Sequence, residues 1–154
     1  MGRSAQYYVI SFTSMNYSLI PLTSLGPIKL GALRTEVHQI MGEPEASFRK
    51  TPASLHDTDS FNSRGFHLYY RDEPAVVEFI EVFAAPEVNF NLFGLDPFSA
   101  PIDQLVALLE TKTPGRQEED ESWIFPELSI SLWQEDPSSD VVTAVGLGIK
   151  GYFE

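Results

Sequence analysis

The chain contains 154 residues, of which 10 are basic and 22 acidic, so its formal net charge is −12, and it contains no cysteine. This length fits a single domain with one sizeable core, and an aromatic content of 12% is too high for a disordered acidic tail. The lack of cysteine excludes disulfides, zinc–cysteine centres and a cysteine nucleophile. The negative charge argues against nucleic acid or an anionic membrane as a direct partner, and it leaves a basic protein open.

The negative charge is concentrated in the last two thirds of the chain. Residues 1–50 hold five basic and three acidic side chains, a net charge of +2, whereas residues 51–154 hold five basic and 19 acidic ones, a net charge of −14. Acidity of this kind either keeps a protein soluble or forms a docking surface for a basic partner. Composition leaves both interpretations open.

The N-terminal residues have the composition of β-strands rather than that of a targeting segment. Aromatic and β-branched residues predict strands over 6–12 and 17–22, and Pro21 places the second at a sheet edge or strand end. Polar residues interrupt the apolar stretch, so we expect no signal peptide or membrane-spanning helix, and therefore a cytoplasmic protein. Met15 offers an alternative start, which would make residues 1–14 an N-terminal extension.

A first helix is predicted shortly after these strands. Leu33, Val37, Ile40 and Met41 have helical spacing, so we expect them to share one buried face. Gly42 is expected to end the helix, because glycine is common just past a helix C-terminus.

A β-hairpin is the clearest prediction in the first half of the chain. The polar residues 43–64 are expected to form a long loop. Alternating apolar and polar residues then predict strands over 66–70 and 75–83, joined by a turn at 71–74. A further strand is expected at residues 88–92 by the same alternation.

The second half of the chain predicts the same order of elements. The acidic residues 111–122 are expected to form a loop. A second hairpin follows, with strands over 128–133 and 141–149 joined by a turn at 135–140. Before the loop, a helix is predicted to begin at Pro101, and residues with helical spacing form its apolar face: Ile102, Leu105, Val106 and Leu109.

The repeated order of helix, loop and hairpin indicates an internal duplication. We predict one α+β domain over residues 1–154, built from two helix-plus-β-hairpin units at residues 15–92 and 93–154. The hairpins would join into one mostly antiparallel sheet with both helices packed on one face. The other face of the sheet would then be at least partly open to solvent.

Signals for catalysis are weak, so we expect no enzyme, no cofactor and no metal ion. The chain has no Gly-rich phosphate loop, no GxSxG elbow and no HExxH motif. His38 is expected on the surface of the first helix, and His67 on the outward side of a strand. The odd spacing of Glu78 and Glu81 predicts that they point to opposite sides of their strand, which disfavours a paired-carboxylate site. Residues 56–59, His-Asp-Thr-Asp, offer metal ligands but are also ordinary turn residues.

Several stretches of the chain together resemble a known group of proteins. They read MNYSLIP, GPIKLGALRTEVHQIMGEP, TDSFNSRGFHLYYRD, VEFIEVF, LFGLDPFSAPIDQLVALL, IFPELSISLW and GIKGYFE. The run from Met15 to Glu154 resembles small bacterial immunity proteins of polymorphic or secreted toxin systems. It more distantly resembles the β-lactamase-inhibitor-like fold, in which helix-plus-hairpin units repeat and the sheet binds another protein. The helix motif at residues 30–44 follows the pattern of that wider group, except that Leu33 stands where the group has Thr or Ser.

The resemblance implies a non-enzymatic inhibitor that binds a cognate toxin effector and occludes its active site in a one-to-one complex. A toxin with a basic surface, such as a nuclease, would attract the acidic part of the chain. We expect acidic loop residues to pair with Lys and Arg of the toxin, and outward-pointing strand residues to supply buried contact area. The candidates are Asp57, Asp59, Glu118, Glu119 and Asp120 in the loops, and Tyr69, Glu78 and Trp133 in the strands.

Two other classes of function remain open from the sequence. One is a small-molecule-binding or enzymatic domain with a pocket between sheet and helices, for which His67 is the first residue to inspect. The other is a subunit or adaptor with a permanent interface. A toxin or secretion-system gene directly upstream would favour immunity, whereas a metabolic operon would favour the small-molecule function.

Overall fold

The computed structural model describes residues 15–154, so the strand expected at residues 6–12 lies outside the described residues. Two helices, α1 (Arg34–Met41) and α2 (Ile102–Glu110), and a 3₁₀ helix (Asn62–Arg64) occur in this range. The strands are β1 (Met15–Ile20), β2 (Ser24–Leu25), β3 (Ile28–Lys29), β4 (Ala46–Phe48), β5 (Thr58–Phe61), β6 (Phe66–Arg71), β7 (Val76–Phe83), β8 (Val88–Asn91), β9 (Arg116–Gln117), β10 (Trp123–Phe125), β11 (Ile130–Trp133) and β12 (Ala144–Gly148).

Within residues 15–154, the larger of two sheets has eight strands in the order β4-β5-β6-β7-β12-β11-β10-β9. All of its neighbouring strands are antiparallel. At its centre β7 pairs with β12, which joins the strands that follow α1 to those that follow α2. The α+β prediction is confirmed, but each helix precedes four strands of this sheet rather than a single hairpin.

The smaller sheet has the order β3-β2-β1-β8, and in it β8 pairs with β1 in parallel. The strand expected at residues 88–92 is therefore present, but it lies in this second sheet and not beside β7. Tyr17 of β1 contacts Phe66 of β6, with ring centroids 6.3 Å apart. The smaller sheet thus packs against one face of the larger sheet.

That face of the larger sheet, which we call the core face, carries the buried apolar side chains. Leu68, Ile80 and Leu147 are cross-strand neighbours in register and are fully buried. Leu105 and Leu109 of α2 are also fully buried in the same hydrophobic cluster. Each such side chain contributes about 1.5–3 kcal/mol by leaving water, so this cluster is the main stabilising element. We call the opposite face of the larger sheet the outer face.

Both helices begin and end close to the predicted residues. Gly42 follows α1 with φ of +80°, a value that glycine adopts without strain, and its N–H donates to the carbonyl of His38 at 2.9 Å. Pro101 precedes α2, whose predicted apolar residues Leu105, Val106 and Leu109 are buried. At eight and nine residues, neither of these helices in residues 15–154 is long enough to cross a membrane.

The buried side of α1 differs from the predicted one. Val37 is buried, but Ile40 is 55% exposed, so the prediction that both share the core-facing side is wrong. Arg34 and His38 flank Val37 on the helix and bond to Asp59 in β5. With Arg34 and His38 on the side of the helix that faces β5, Ile40 lies toward solvent.

The predicted hairpin is confirmed as β6 and β7, but residues 43–64 are not a continuous loop. This segment contains β4, β5 and the 3₁₀ helix. All four residues of β5, Thr-Asp-Ser-Phe, are buried between β4 and β6. The polar composition of β5 concealed a buried strand whose aspartate, Asp59, finds partners inside the protein.

The second half of the chain also has more strands than predicted. Residues 111–122 include β9, and β10 follows directly without having been predicted. Trp123 and Phe125 of β10 pair in register with Leu132 and Ile130 of β11. The predicted final strand at residues 141–149 is present but shorter, as β12.

Candidate functional site

The outer face of the larger sheet lies opposite the core cluster, and its side chains form cross-strand rows. His67, Glu81, Gly146 and Ser131 follow one another in register across β6, β7, β12 and β11. Directly opposed residues of antiparallel strands point to the same face of a sheet. Two parallel rows complete this surface: Tyr69, Phe79 and Gly148 in one, and Phe83, Ala144 and Trp133 in the other.

A β-bulge changes the direction of the side chains in β7. Tyr69 opposes Phe79, but the next residue of β6, Tyr70, opposes Val77, so Glu78 is an extra residue. Val77 and Ile80 are both fully buried, whereas the two residues between them are partly exposed. Glu78 therefore lies on the outer face together with Glu81, and the prediction that the two carboxylates point to opposite sides is wrong.

Aromatic rings run along the outer face from Tyr69 to the C-terminal residues. The ring centroid of Phe79 lies 5.7 Å from that of Tyr69 and 4.6 Å from that of Tyr152, with which it stacks at an interplanar angle of 11°. A Cβ atom on Gly146 would lie 2.5 Å from the Phe79 ring, so glycine is needed there for the ring to lie against the sheet. No pattern in the sequence indicates that Tyr152 packs on this face.

His67 and Glu81 form a polar centre between these aromatic rows. Nδ1 of His67 lies 3.4 Å from the Glu81 carboxylate, and its Nε2 lies 3.2 Å from the side-chain oxygen of Asn62. The contact with His67 lowers the pKa of Glu81. Burial and the neighbouring Glu81 carboxylate raise the pKa of Tyr69 to about 12, so Tyr69 is a neutral phenol at physiological pH. His67 therefore lies on the outer face, not in a pocket between sheet and helices.

Trp133 lies at one end of this surface and is 39% exposed. It points to the outer face, as its alternation with Leu132 predicts. Phe83, in the same cross-strand row, contacts the ring of His67 at 5.0 Å between centroids. Tyr69 and Trp133 thus lie on one continuous surface, in rows that are four residues apart along β7, or roughly 13 Å.

Other predicted contact residues lie in loops at the two sides of the sheet. Asp57 is 43% exposed and pairs with Arg49 at 3.3 Å. Glu118 pairs with Arg116 at 3.2 Å. Ser122 donates to the Asp120 carboxylate, and this hydrogen bond lowers the pKa of Asp120. Glu119, between Glu118 and Asp120, is exposed.

Asp59 has a different environment from the other predicted acidic contacts. It lies in β5 rather than in a loop, and its side chain is fully buried, so its expected role in pairing with a partner is wrong. Arg34 donates to both of its carboxylate oxygens, at 3.0 and 2.6 Å. Its other contacts are to His38 Nε2 at 2.7 Å, Ser47 Oγ at 2.9 Å and the Tyr70 hydroxyl at 2.7 Å.

These contacts fix the charge of the Asp59 carboxylate. Burial by itself would raise the pKa of Asp59, but hydrogen bonds from Arg34, His38, Tyr70 and Ser47 outweigh it and hold the pKa at about 2. A carboxylate that is this acidic, buried and surrounded by donors is a poor general base. Its role is to join α1 to β4, β5 and β6, and His38 is consequently part of this network rather than a surface histidine.

The His-Asp-Thr-Asp segment does not converge on a metal site. His56 bonds to the backbone carbonyl of Asp72, and Asp57 pairs with Arg49. Within the part of the chain that the structure describes, no group of three or more His, Asp or Glu side chains is placed to hold a metal ion. The outer face is therefore the stronger candidate for function.

Comparison of the chain with protein-family models found no match, and searches of curated proteins and of solved structures found none either. The functional interpretation consequently depends on the residues and geometry of the chain itself.

Proposed function

We propose that the protein is a cytoplasmic immunity protein that binds and neutralises a cognate toxin effector by occluding its active site. The observation that carries this proposal is the outer face. It is a sheet surface with partly exposed aromatic side chains at Tyr69, Phe79, Phe83 and Trp133, and with the carboxylates of Glu78 and Glu81 between them. Tyr, Trp and Phe are the residues most enriched where protein interfaces are buried.

The size of this surface suits a protein partner. Eight strands spaced about 4.8 Å apart span roughly 34 Å across the sheet. A standard protein interface buries about 800 Å² on each partner, which corresponds to a patch roughly 28 Å across. The outer face is thus wide enough to hold a whole interface.

Charge supports a basic partner. The net charge of −12 would attract a cationic toxin at long range. Glu119 in the acidic loop and Glu78 on the outer face form no ion pair with another described residue, whereas Asp57 and Glu118 are partly neutralised by arginines. We therefore keep seven of the predicted contacts and remove Asp59: Asp57, Tyr69, Glu78, Glu118, Glu119, Asp120 and Trp133.

The duplication is part of the same proposal. α1 precedes β4 to β7, and α2 precedes β9 to β12, so each helix is followed by four strands of one sheet. The last strands of the two sets, β7 and β12, are neighbours. Two repeated units joined in this way would generate one wide outer face from two smaller ones.

Binding to the product of the gene directly upstream tests the proposed function. We expect the purified protein to capture that product in a one-to-one complex, and co-expression to rescue cells that the product kills. Size-exclusion chromatography with light scattering measures the stoichiometry, and colony counts measure the rescue. Failure to bind together with failure to rescue would contradict the proposal.

Salt is expected to slow formation of this complex. Raising NaCl from about 10 mM to 1 M shortens the Debye length from about 30 to 3 Å, so the association rate should fall by at least about tenfold. Stopped-flow measurement gives the rate, and the double variant Glu119→Gln, Asp120→Asn should slow association at low salt. An association rate that does not change with salt would remove electrostatic attraction from the proposal.

A further inference from the structure

The ring of Tyr69 on the outer face already holds a cation from the protein itself. The Lys50 ammonium lies 4.9 Å from the centroid of the Tyr69 ring. The contact with His67 is the main cause of the lowered pKa of Glu81, and the positive charge of Lys50 lowers this pKa further. Lys50 belongs to the exposed segment after β4, so it reaches over the sheet from the side. This contact shows that the Tyr69 ring and the Glu81 carboxylate together form an environment suited to a positive charge.

The bulge in β7 adds a second carboxylate beside the same rings. Glu78 lies near Tyr152, since burial and then the Glu78 carboxylate raise the pKa of that phenol. Among residues 15–154 no basic side chain forms an ion pair with Glu78. Two carboxylates therefore lie beside these rings. Glu81 is paired with His67, whereas Glu78 has no basic partner among the described residues.

A cavity of about 250 Å³ opens between Tyr69, Glu78 and the segment that carries Lys50. Its volume is below the roughly 300–1,000 Å³ that is usual for small-molecule sites. Arg71 also lines it but is paired with Asp72 at 3.5 Å. The cavity is thus of a size for one side chain, with an aromatic wall and an unpaired carboxylate.

We propose that this cavity receives an arginine side chain of the partner protein, whose guanidinium stacks on Tyr69 and pairs with Glu78 while Lys50 moves aside. A planar guanidinium both stacks on aromatic rings and donates in parallel to a carboxylate, which a lysine ammonium does not do. That the arginine comes from a partner protein rests on the proposed function, whereas the site itself does not. Lys50 acts as an internal competitor that lowers the affinity of the empty site for other cations.

Titration with N-acetyl-arginine amide tests the site without the partner. We expect saturable changes in the ¹H–¹⁵N signals of Tyr69 and Glu78, with N-acetyl-citrulline amide, which has the same shape without the charge, causing no saturable change. Lys50→Ala should bind the arginine probe about threefold more tightly, because the ring is then vacant. Glu78→Gln should bind it about threefold more weakly, since one ion pair is lost.

Glu119→Gln is the matched control, because it makes the same change of charge in the acidic loop. Equal binding of the citrulline probe, or an equal loss of affinity in Glu119→Gln and Glu78→Gln, would overturn the proposal. So would weaker or unchanged binding in Lys50→Ala. If the arginine probe does not bind but the protein neutralises the toxin, only the arginine site is rejected. If the probe binds saturably but the protein does not neutralise the toxin, only the immunity function is rejected.

Discussion

Replacing Asp59 with alanine is expected to lower the free energy of unfolding by about 3 kcal/mol, near the low end of the 3–5 kcal/mol typical of a broken buried ion pair. The substitution leaves the Arg34 guanidinium and the Tyr70 hydroxyl without their carboxylate partner. The low end is expected because Arg34 and His38 are 29% and 25% exposed, so water can partly replace the lost contacts. Urea denaturation followed by circular dichroism measures the change.

Asp57→Ala is the matched control, two residues away in the chain. Asp57 and its partner Arg49 are 43% and 52% exposed, and an exposed ion pair is worth about 0–1 kcal/mol. We therefore expect this variant to remain close to the wild type. Equal destabilisation by the two substitutions would contradict a special role for Asp59.

The same network predicts how stability depends on pH. The pKa of Asp59 is about 2 in the folded protein against 3.8 as its ordinary value. Its stabilisation is therefore present above pH 4 and is lost as the pH falls toward 2, an amount of about 2 kcal/mol. Asp59→Asn should not show this loss of stability at low pH. The difference between variant and wild type in the pH dependence of the free energy of unfolding measures it. An identical pH dependence would show that Asp59 is not held ionised.

The helices and the β6–β7 hairpin could be predicted because their signals are local. Apolar residues at helical spacing identified α2, and alternation identified the hairpin. β5 could not be predicted in this way, since Asp59 is satisfied by Arg34, which is 25 residues away in the sequence. A buried charge has no local signature when its partners come from a different element.

The outer face could be predicted only in part for a similar reason. Because side chains alternate between the two faces of a strand, the sequence correctly placed Tyr69 and Trp133 on the outward side. It failed for Glu81, which it placed on the opposite side from Glu78, because a bulge inserts one residue and reverses the alternation on one side of it. The packing of Tyr152 on Phe79 depends on Gly146 in the neighbouring strand, which a reading of each strand by itself does not reveal.

Trp133→Ala is expected to weaken binding to the cognate toxin by at least about 30-fold, or about 2 kcal/mol, which is the threshold for a binding hot spot. A tryptophan that is 39% exposed in the unbound protein still has surface to bury in a complex. Because most of the residue is already covered in the unbound protein, its removal should also lower the free energy of unfolding, by about 1–2 kcal/mol. Surface plasmon resonance measures the affinity, and the change should appear mainly in the dissociation rate.

Ile40→Ala separates a specific surface from general hydrophobicity. Ile40 is 55% exposed on α1. This helix bonds to Asp59, which is opposite Leu68 of the core face, so Ile40 lies on the side of the sheet away from the outer face. Its truncation should leave the affinity for the toxin unchanged if the outer face is the interface. If Ile40→Ala weakened binding and Trp133→Ala did not, the toxin would dock on the helix side, and the outer face would have to be abandoned as the interface. Tyr69→Ala beside Trp133→Ala then measures how far the contact extends, because these residues lie roughly 19 Å apart, about 13 Å along the strands and about 14 Å across three strand spacings.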